Sequence, residues 1–355
     1  MKGSTHGTRA TIAVTGMNAR PDNPGPGVAV ARCLREASGF KGRIIGLGYD
    51  ALDPGFYLPQ YCDAGYMLPY PSAGDEALIE RLRIIQAQEH IDGLIPCLDA
   101  ELPNMVRLAP VLESMGIHTF VPSAEQLQLR NKDRLAELAD HAGIDNPETR
   151  TVTQAGFFYK CHEEGWTYPF AVKGLFYGAQ IVHDADQGAA AFHHIAAQWG
   201  LPVLVQRFLK GEEVNLTAVG DGRGEMLGAV MMKKMALTDK GKAWAGVTVA
   251  DERLLEASAS LVRAVRWRGP LEVEIMRDEG GRYQLIEINP RFPAWVYLSA
   301  GVGRNLPATL VDLMFGEQPS EFSEVPAGIL FFRYAEEVIV PMQQYESVVM
   351  TGART

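Results

Sequence analysis

Cysteine and long apolar stretches are both scarce in this chain of 355 residues. The four cysteines are widely spaced and form no CxxC pair, which argues against a thiolate metal site or a redox pair. We expect four reduced thiols in a cytoplasmic protein: Cys33, Cys62, Cys97 and Cys161. No apolar run is long enough to cross a bilayer, and residues 1–10 lack the apolar centre of a signal peptide. The sequence therefore predicts neither a membrane span nor a secretory leader.

Positive charge is limited as well. The formal net charge is -10 and no extended basic block occurs, which argues against nucleic acid or an anionic membrane as a partner. An anionic ligand therefore needs a local cluster of Lys and Arg. The GxGxxG pattern of a dinucleotide site is missing, and so is any Ser-His-Asp or Cys-His signature of covalent catalysis. The loop at residues 16–27, GMNARPDNPGPG, fits either a ligand-binding loop or a simple Pro-rich turn.

Strands and helices alternate in the first third of the sequence. Buried strands are predicted at residues 11–15, 43–48 and 93–97, and helices at 28–36, 75–90 and 102–115. This order is typical of a doubly wound parallel sheet. Asp99, Glu101 and Asn104 follow the third predicted strand, at the edge where such sheets bind ligands. The same three residues could instead cap the next helix.

The pattern changes in the middle of the chain. An amphipathic helix containing Lys132 is predicted within residues 122–143, followed by a connector at 144–151. Short strands then dominate, at residues 169–173, 180–183, 203–208, 213–219 and 225–232, with one helix at 187–199. Further helices are predicted at 250–267, 294–302 and 305–315, and residues 323–355 form a short strand-containing appendage. A chain of this length is expected to hold two or three domains.

A glycine hairpin at residues 269–291 organises the candidate site. Gly280 and Gly281 separate two runs rich in Val, Ile and Leu, which is a strong signal for a two-residue turn. Residues that face each other across the two strands share one face of the sheet. The predicted pairs are Glu279 with Arg282, Glu274 with Glu287, and Glu272 with Asn289. The other face carries the apolar residues of a core, Val273, Ile275, Ile286 and Ile288.

Directly opposed glutamates repel each other unless a positive charge lies between them. A divalent cation is the simplest remedy, and carboxylate and amide oxygens suit Mg²⁺ or Mn²⁺. Arg291 lies just beyond Asn289, where it can meet a phosphate or a carboxylate. The alternative is an exposed hairpin whose acids are merely solvated. A register slip of one residue would also turn every side chain to the other face.

Further residues indicate a phosphate-binding site. Lys173 ends a strand before the small flexible loop at residues 174–179, GLFYGA, whose backbone N–H groups could approach an anion. Gln206 ends a later strand, and Glu213 begins the next one across a short turn. Lys233 and Lys234 are neighbours in an apolar strand, so one of them faces a site while the other is solvated. The alternative is that both protect an edge strand.

The order and spacing of these residues resemble the ATP-grasp superfamily, in particular the branch with carbamoyl phosphate synthase-like proteins, biotin carboxylase and D-alanine:D-alanine ligase. The motifs that carry the resemblance are NKDRLAEL, YPFAVKG, VLVQRFLKGEEV, LEVEIM and LIEINPRF. The resemblance implies an α/β N-terminal part, a doubly wound parallel sheet called the pre-ATP-grasp domain, at residues 1–125. An α+β ATP-grasp fold would follow, with a small subdomain at 126–202, a large subdomain at 203–320 and an appendage at 321–355.

The resemblance also implies roles for single residues. The positions that match nucleotide contacts are Lys132 and Lys173 for the α and β phosphates, Gly178 in the phosphate-covering loop, Gln206 and the Leu209 backbone for adenine, and Glu213 for the ribose hydroxyls. The family usually has Glu where this chain has Gln206, although an amide oxygen still accepts from an adenine amino group. The phosphate-covering loop has only Gly178 near its middle instead of a run of glycines.

The remaining implied roles concern the metal and the transferred phosphoryl group. The positions that match the metal ligands are Glu274, Glu287 and Asn289, and Arg291 matches the arginine that steadies the transferred phosphoryl group or the acyl phosphate. Lys233 is taken as the lysine of its pair that faces the site. Two anions must meet in such a reaction, so charge neutralisation by Mg²⁺, Lys and Arg is the main task of the site.

The implied activity is that of an ATP-dependent carboxylate-amine ligase that works through an acyl phosphate and releases ADP and phosphate. Its cofactor is Mg²⁺, for which Mn²⁺ can substitute, and its partners are a small carboxylate and an amine, such as an amino acid or a short peptide. A homodimer is common among similar proteins. Two alternatives remain: an enzyme that forms carbamoyl or carboxy phosphate, and a nucleotide-binding regulatory protein that does not turn over ATP.

Overall fold

The structure, a computed structural model, describes residues 6–132, 134–175 and 178–354. A short helix α1 (His6–Arg9) precedes five parallel strands: β1 (Ile12–Val14), β2 (Ile44–Gly48), β3 (Ala64–Met67), β4 (Gly93–Ile95) and β5 (His118–Thr119). Between them lie the helices α2 (Gly27–Glu36), α3 (Asp75–Glu89) and α4 (Leu102–Ser114). The strand order is β3-β2-β1-β4-β5, and every pair in this run is parallel. The predicted doubly wound sheet is confirmed, although the short strands β3 and β5 were not predicted.

The two faces of this sheet belong to different apolar cores. Ile12 and Val14 pack on the side of α2, whereas Ala13 and Ile45 pack on the side of α3 and α4. Because both faces are covered, the strands read as continuous apolar runs. The core on the α2 side also contains Phe292, which follows Arg291 in the chain. The first sheet therefore shares a core with the end of the acidic hairpin.

Two helices lead out of the first sheet, α5 (Ala124–Leu129) and α6 (Leu135–Ala142). A capping box starts α5, with Ser123 and Gln126 bonding to each other's backbone N–H groups. The expected single helix through Lys132 is wrong, because Lys132 lies in the turn between the two helices. The Arg134 N–H donates to the Asn131 carbonyl over 2.8 Å, and this tight turn replaces a continued helix.

The second layer is a four-stranded antiparallel sheet. It contains β6 (Thr149–Val152), α7 (Phe157–Lys160), β7 (Phe170–Gly174), β8 (Ala179–Val182), α8 (Ala185–Trp199) and β9 (Val203–Arg207). The strand order is β6-β9-β7-β8. Large aromatic side chains fill the space between this sheet and its helices, namely Phe158, Trp166, Phe170 and Phe192. Aromatic rings contribute large buried areas, which suits a layer this small.

The third layer is a larger antiparallel sheet. Its strands are β10 (Gly211–Asp221), β11 (Met226–Leu237), β12 (Ala243–Thr248), β13 (Arg268–Asp278) and β14 (Tyr283–Asn289), with α9 (Glu252–Val265) between β12 and β13. They pair in the order β14-β13-β10-β11-β12. On one face, Leu216 and Val273 pack with Leu138 of α6 and Leu261 of α9. The opposite face carries the polar residues described below, as expected for an antiparallel sheet.

The C-terminal part of the chain touches both large sheets. It contains α10 (Tyr297–Gly301), α11 (Leu306–Met314), β15 (Leu330–Phe332), α12 (Met342–Thr351) and β16 (Ala353–Arg354). β15 extends the third sheet beside β12, and β16 pairs antiparallel with β3 of the first sheet. Within the described ranges, no helix has both the length and the apolar character needed to span a membrane. All four cysteines are buried and free.

Candidate active site

The acidic hairpin is formed by β13 and β14. The polar pairs predicted from the sequence are present, Glu274 with Glu287 and Glu272 with Asn289. The predicted two-residue turn is wrong, because the Asp278 N–H donates to the Arg282 carbonyl over 2.9 Å. Three residues therefore form the turn, and Glu279 lies within it instead of facing Arg282.

A β-bulge restores the predicted register. The pairing shifts by one residue between Glu274 and Ile275, so that Ile275 faces Leu285 while Glu274 still faces Glu287. A bulge adds one residue to one strand, which compensates for the longer turn. It also changes the core, because Leu285 is fully buried there while Ile286, predicted for the core, is only half-buried.

Glu272 is buried, and protein donors occupy both of its oxygens. Oε1 accepts from Asn215 Nδ2 at 3.0 Å and from Trp295 Nε1 at 2.7 Å. Oε2 accepts from Asn289 Nδ2 at 3.1 Å and from Arg291 Nη1 at 3.4 Å. Glu272 therefore fixes the side chains around it and leaves Glu274 and Glu287 as the acids available to a ligand.

Asn289 is oriented by these glutamates. Its Nδ2 lies 3.1 Å from Glu272 Oε2 and 3.1 Å from Glu274 Oε1. Within the described part of the chain no donor reaches its amide oxygen. Burial alone would raise the pKa of Glu274, but the nearby charges of Lys234, Lys242 and Arg291 hold it below its usual value. Glu274 is therefore ionised at neutral pH.

The Glu274, Glu287 and Asn289 oxygens fit a Mg²⁺ ion whose shell is completed by water and phosphate, and they do not form a site made of protein ligands alone. Among the described residues, no group of three or more His, Cys, Asp or Glu side chains is arranged to hold a metal ion. Two opposed carboxylates and one amide oxygen remain, from Glu274, Glu287 and Asn289. Mg²⁺ is typically held by one or two carboxylates, with water and substrate phosphates completing its shell.

Lys234 is the lysine that faces this group. Its ammonium pairs with Glu213 and lies 3.7 Å from Glu274 Oε2. Lys233 pairs with Glu212 instead, on the opposite face of β11. The choice of Lys233 as the site-facing lysine is therefore wrong. The register decides this, because it places Lys233 opposite the core residue Val214, so its neighbour faces the polar side.

Two further lysines approach from the other layers. Lys132 Nζ lies 3.7 Å from Glu287 Oε1, and Lys173 Nζ donates to Gln206 Oε1 over 2.6 Å. Burial lowers the pKa of Lys173, and the charge of Lys132 lowers it further. Gln206 in turn donates from Nε2 to Thr149 Oγ1 over 2.9 Å, so protein groups hold both ends of its amide.

The predicted nucleotide contacts at Leu209 and Gly178 lie in connecting segments. Leu209 belongs to the link between β9 and β10, which joins the second sheet to the third. Gly178 has φ +84°, a left-handed conformation that favours glycine, and its carbonyl accepts from the Gly174 N–H over 3.0 Å. Residues 176 and 177 of the GLFYGA loop lie outside the described residues.

The first sheet contributes Asp99, which follows β4. Its Oδ2 accepts from Arg291 Nε at 2.9 Å, and its Oδ1 lies 3.7 Å from Arg130 Nη1. Burial alone would raise the pKa of Asp99, but the charges of Arg291 and Arg130 lower it below its usual value. Asp99 therefore lies beside Arg291 of the candidate site, and its place at a ligand-binding edge stays a prediction.

Glu101 and Asn104 have other roles. Glu101 is buried and accepts from the Thr15 and Tyr49 hydroxyls and from the Leu98 N–H at 2.9 Å. It thereby fixes the loop after β4. Asn104 donates to the Pro71 carbonyl at 3.3 Å, away from the site. Neither residue adds to the candidate site directly.

Comparison with known proteins shows which family part of this chain resembles. Residues 201–336, which include the acidic hairpin, match the family described as ATP-grasp in the biosynthetic pathway with Ter operon. The chain contains an ATP-grasp domain. Among its sequence relatives, the carbamoyl phosphate synthase large chain of Clostridium beijerinckii is 23% identical over 286 residues, 75% of this chain and 25% of that protein. The phosphoribosylamine-glycine ligase of Corynebacterium ammoniagenes is 28% identical over 146 residues, 39% of this chain and 34% of that protein.

Solved structures show the same fold. The L-amino acid ligase of Bacillus licheniformis has a TM-score of 0.63 and 17% identity, covering 86% of this chain and 74% of that chain. The biotin carboxylase domain dimer of the Hydrogenobacter thermophilus 2-oxoglutarate carboxylase, in complex with MgADP, ADP and bicarbonate, has a TM-score of 0.68 and 15% identity. It covers 89% of this chain and 72% of that chain. The chain spans only about a quarter to a third of the sequence relatives named above.

Two residues of the candidate site were not predicted from the sequence. Asn215 lies on the polar face of the third sheet and donates to Glu272, and Arg130 lies beside Asp99. For Asn215 a signal existed, because Glu213, Asn215 and Thr217 repeat every second residue in β10 and so share a face. Arg130 carried no such signal, since its partner lies on a different layer.

Proposed function

We propose that this ATP-grasp protein is an ATP-dependent carboxylate-amine ligase that forms an amide bond. In the first step a carboxylate oxygen bonds to the γ-phosphorus of ATP while the bond to the β,γ-bridging oxygen breaks, so ADP leaves and an acyl phosphate remains. The amine nitrogen then bonds to the acyl carbon, the bond to phosphate breaks and the nitrogen loses a proton. Phosphate is released, and no side chain acts as a covalent nucleophile.

The observation that carries this proposal is a pair of opposed carboxylates surrounded by cations. Glu274 faces Glu287, and ammonium groups approach both, Lys234 at 3.7 Å from Glu274 and Lys132 at 3.7 Å from Glu287. Such a site suits two anionic reactants, since fixed charges stabilise a phosphoryl group in transfer at little reorganisation cost.

Glu274, Glu287 and the Asn289 oxygen would hold Mg²⁺, which would neutralise phosphate charge when bound. Lys132 and Lys173 would contact the α and β phosphates, and Arg291 the transferred phosphoryl group. The burial-lowered pKa of Lys173 makes its ammonium costly without an anion, which supports a role in phosphate binding.

The adenosine half would lie at the link between the second and third sheets. The Leu209 backbone and Gln206 would contact adenine, and Glu213 would contact the ribose hydroxyls. Gly178 would lie in the loop that covers the phosphates. In the structure Lys173 donates a hydrogen bond to the Gln206 side-chain oxygen, and Lys234 pairs with Glu213. Nucleotide binding would therefore exchange these protein contacts for contacts to ATP.

A hydroxylamine trapping assay tests the proposal. Hydroxylamine converts an acyl phosphate to a hydroxamate, so the protein is incubated with Mg-ATP, hydroxylamine and pools of the proteinogenic L-amino acids. We expect hydroxamate formation with at least one pool and ADP release that requires the carboxylate. Binding of Mg-ATP without turnover in any pool would favour a regulatory nucleotide-binding protein.

A second candidate is an enzyme that phosphorylates bicarbonate. It is favoured by the match to carbamoyl phosphate synthase over 75% of this chain. ADP release that depends on bicarbonate, and not on an added amino acid, would select this reading. A homodimer remains a prediction, which light scattering of the purified protein would test.

A further inference from the structure

Arg130 is a partly buried arginine whose guanidinium lacks a hydrogen-bonded partner among the described residues. Its side chain is only 17% exposed, yet its guanidinium forms no hydrogen bond within the described part of the chain, and Nε is completely buried. The nearest acid is Asp99, whose Oδ1 lies 3.7 Å from Nη1, too far for a hydrogen bond. A guanidinium has five N–H donors, and leaving the Nε–H unpaired away from water is costly. Asp99 is therefore an ion-pair partner of Arg130, but it does not accept a hydrogen bond from this guanidinium.

Asp99 is also incompletely bonded. Its Oδ2 accepts from Arg291 Nε, but its Oδ1 is buried without a hydrogen bond. Arg291 uses Nη1 for Glu272 and for the Phe292 carbonyl, whereas its Nη2 donates no bond among the described residues. The Arg130 and Arg291 guanidinium groups thus both approach the Asp99 carboxylate, and each retains N–H donors that form no hydrogen bond among the described residues.

The position of this group in the fold points to a substrate. Asp99 follows β4, and β1 and β4 are neighbours at the point where the strand order of the first sheet reverses. Open α/β sheets bind ligands at such a switch point. Arg130 precedes Lys132 by two residues, and Lys132 reaches the acidic hairpin. The unused donors therefore lie between the edge of the first sheet and the proposed nucleotide site.

We infer that Arg130 and Arg291 together bind the carboxylate group of the substrate that is phosphorylated, with Asp99 holding the two guanidinium groups at the required spacing. This inference rests on the proposed ligase function. Planar guanidinium groups match carboxylates through paired hydrogen bonds, and a lysine cannot reproduce that geometry. The anion is assigned to the substrate because Arg130 is paired to the first sheet, whereas Lys132, Lys173 and Lys234 surround the hairpin on the nucleotide side.

The test compares Arg130→Met and Arg130→Lys with a control in the same segment. Arg134→Met is the control, since the Arg134 side chain is 39% exposed and pairs with Glu137 over 2.7 Å. The probe is whichever proteinogenic L-amino acid gives the fastest hydroxamate formation with wild-type protein. We measure KM for that amino acid, kcat, and Kd for MgADP by calorimetry. Arg130→Met should raise KM at least tenfold and leave Kd for MgADP within twofold, Arg130→Lys should recover part of the loss, and Arg134→Met should match wild type.

Three outcomes would overturn the inference. If Kd for MgADP weakens as much as KM rises, Arg130 binds a nucleotide phosphate. If KM is unchanged while the urea midpoint falls, Arg130 only stabilises the fold through Asp99. If wild-type protein binds MgADP but forms no hydroxamate with any amino acid, the proposed function fails and this inference fails with it. The wild-type control thus separates the two failures.

Discussion

Replacing Lys234 by methionine tests the assignment of the site-facing lysine. Lys234 is 10% exposed and lies between Glu213 and Glu274, so its loss leaves two carboxylates close together without a cation. Removing one partner of a buried ion pair costs about 3–5 kcal/mol, and we expect the lower end because the two glutamates are partly exposed. Lys233 is 40% exposed and its partner Glu212 is 43% exposed, so Lys233→Met should cost about 0–1 kcal/mol.

The pKa of Lys234 makes the stability difference between Lys234→Met and Lys233→Met insensitive to pH. Burial would lower the pKa of Lys234, but the charges of Glu274 and Glu213 hold it well above its usual value. A raised pKa in the folded state contributes stability that is lost only as the pH rises through that value. The stability difference between the two variants should therefore be constant across the neutral range.

Urea denaturation followed by circular dichroism measures the stability of both variants, and ADP release measures their activity. A fixed charge aimed at the reacting groups is worth about 10²–10³ in kcat, so Lys234→Met should lose at least about 100-fold. Lys233→Met should stay close to wild type in both assays. Equal losses in the two variants, or a larger loss in Lys233→Met, would refute the assignment of faces.

Three further changes have defined outcomes. Glu287→Gln should abolish ADP release and weaken MgADP binding in calorimetry while the urea midpoint stays near wild type, because it removes one carboxylate from the metal site. Gly27→Ala should lower the free energy of unfolding by about 1–3 kcal/mol, because its Cβ would lie 2.0 Å from the Thr15 carbonyl oxygen. Asp312→Asn should raise stability above pH 6 by about 1 kcal/mol, after allowance for solvent screening, because burial and then Glu317 raise the pKa of Asp312 to about 6.

The sign of the Asp312 effect follows from its raised pKa. Ionisation of Asp312 costs more in the folded state than in the unfolded state, so the wild-type protein loses stability as the pH rises from about 4 through about 6. The variant should therefore gain nothing at about pH 4. A gain of equal size at both pH values would contradict the pKa argument. Unchanged ADP release in Glu287→Gln would show that Glu287 is not a metal ligand. An unchanged urea midpoint in Gly27→Ala would show that the backbone near Thr15 shifts to accommodate the added Cβ.

Local patterns in the sequence predicted the parallel sheet and the polar face of the hairpin. Alternating apolar strands and helices identified the first sheet, because strand and helix periods are properties of neighbouring residues. The same period of two placed Glu274 opposite Glu287 and Glu272 opposite Asn289. This pairing came out correctly although the turn was one residue longer than predicted, since the bulge after Glu274 compensated.

Predictions failed where they depended on contacts between distant segments. The break of the predicted helix at Lys132 brings this lysine to Glu287, and no periodicity in the segment marked that turn. The sequence showed that Lys233 and Lys234 point to opposite faces, but not which face is buried. That choice depends on the packing of α6 and α9 against the third sheet.

The sequence by itself determined the types of element, the order of the motifs and the acidic pair, because these follow from the period of side chains along one strand or helix. Only the tertiary structure decided that Lys234 joins the site, that both Glu272 oxygens accept hydrogen bonds from protein donors, and that Asp99 pairs with both Arg130 and Arg291. Those contacts join the first sheet, the segment after α5 and the third sheet. Their distances are set by how the layers pack, which no local pattern encodes.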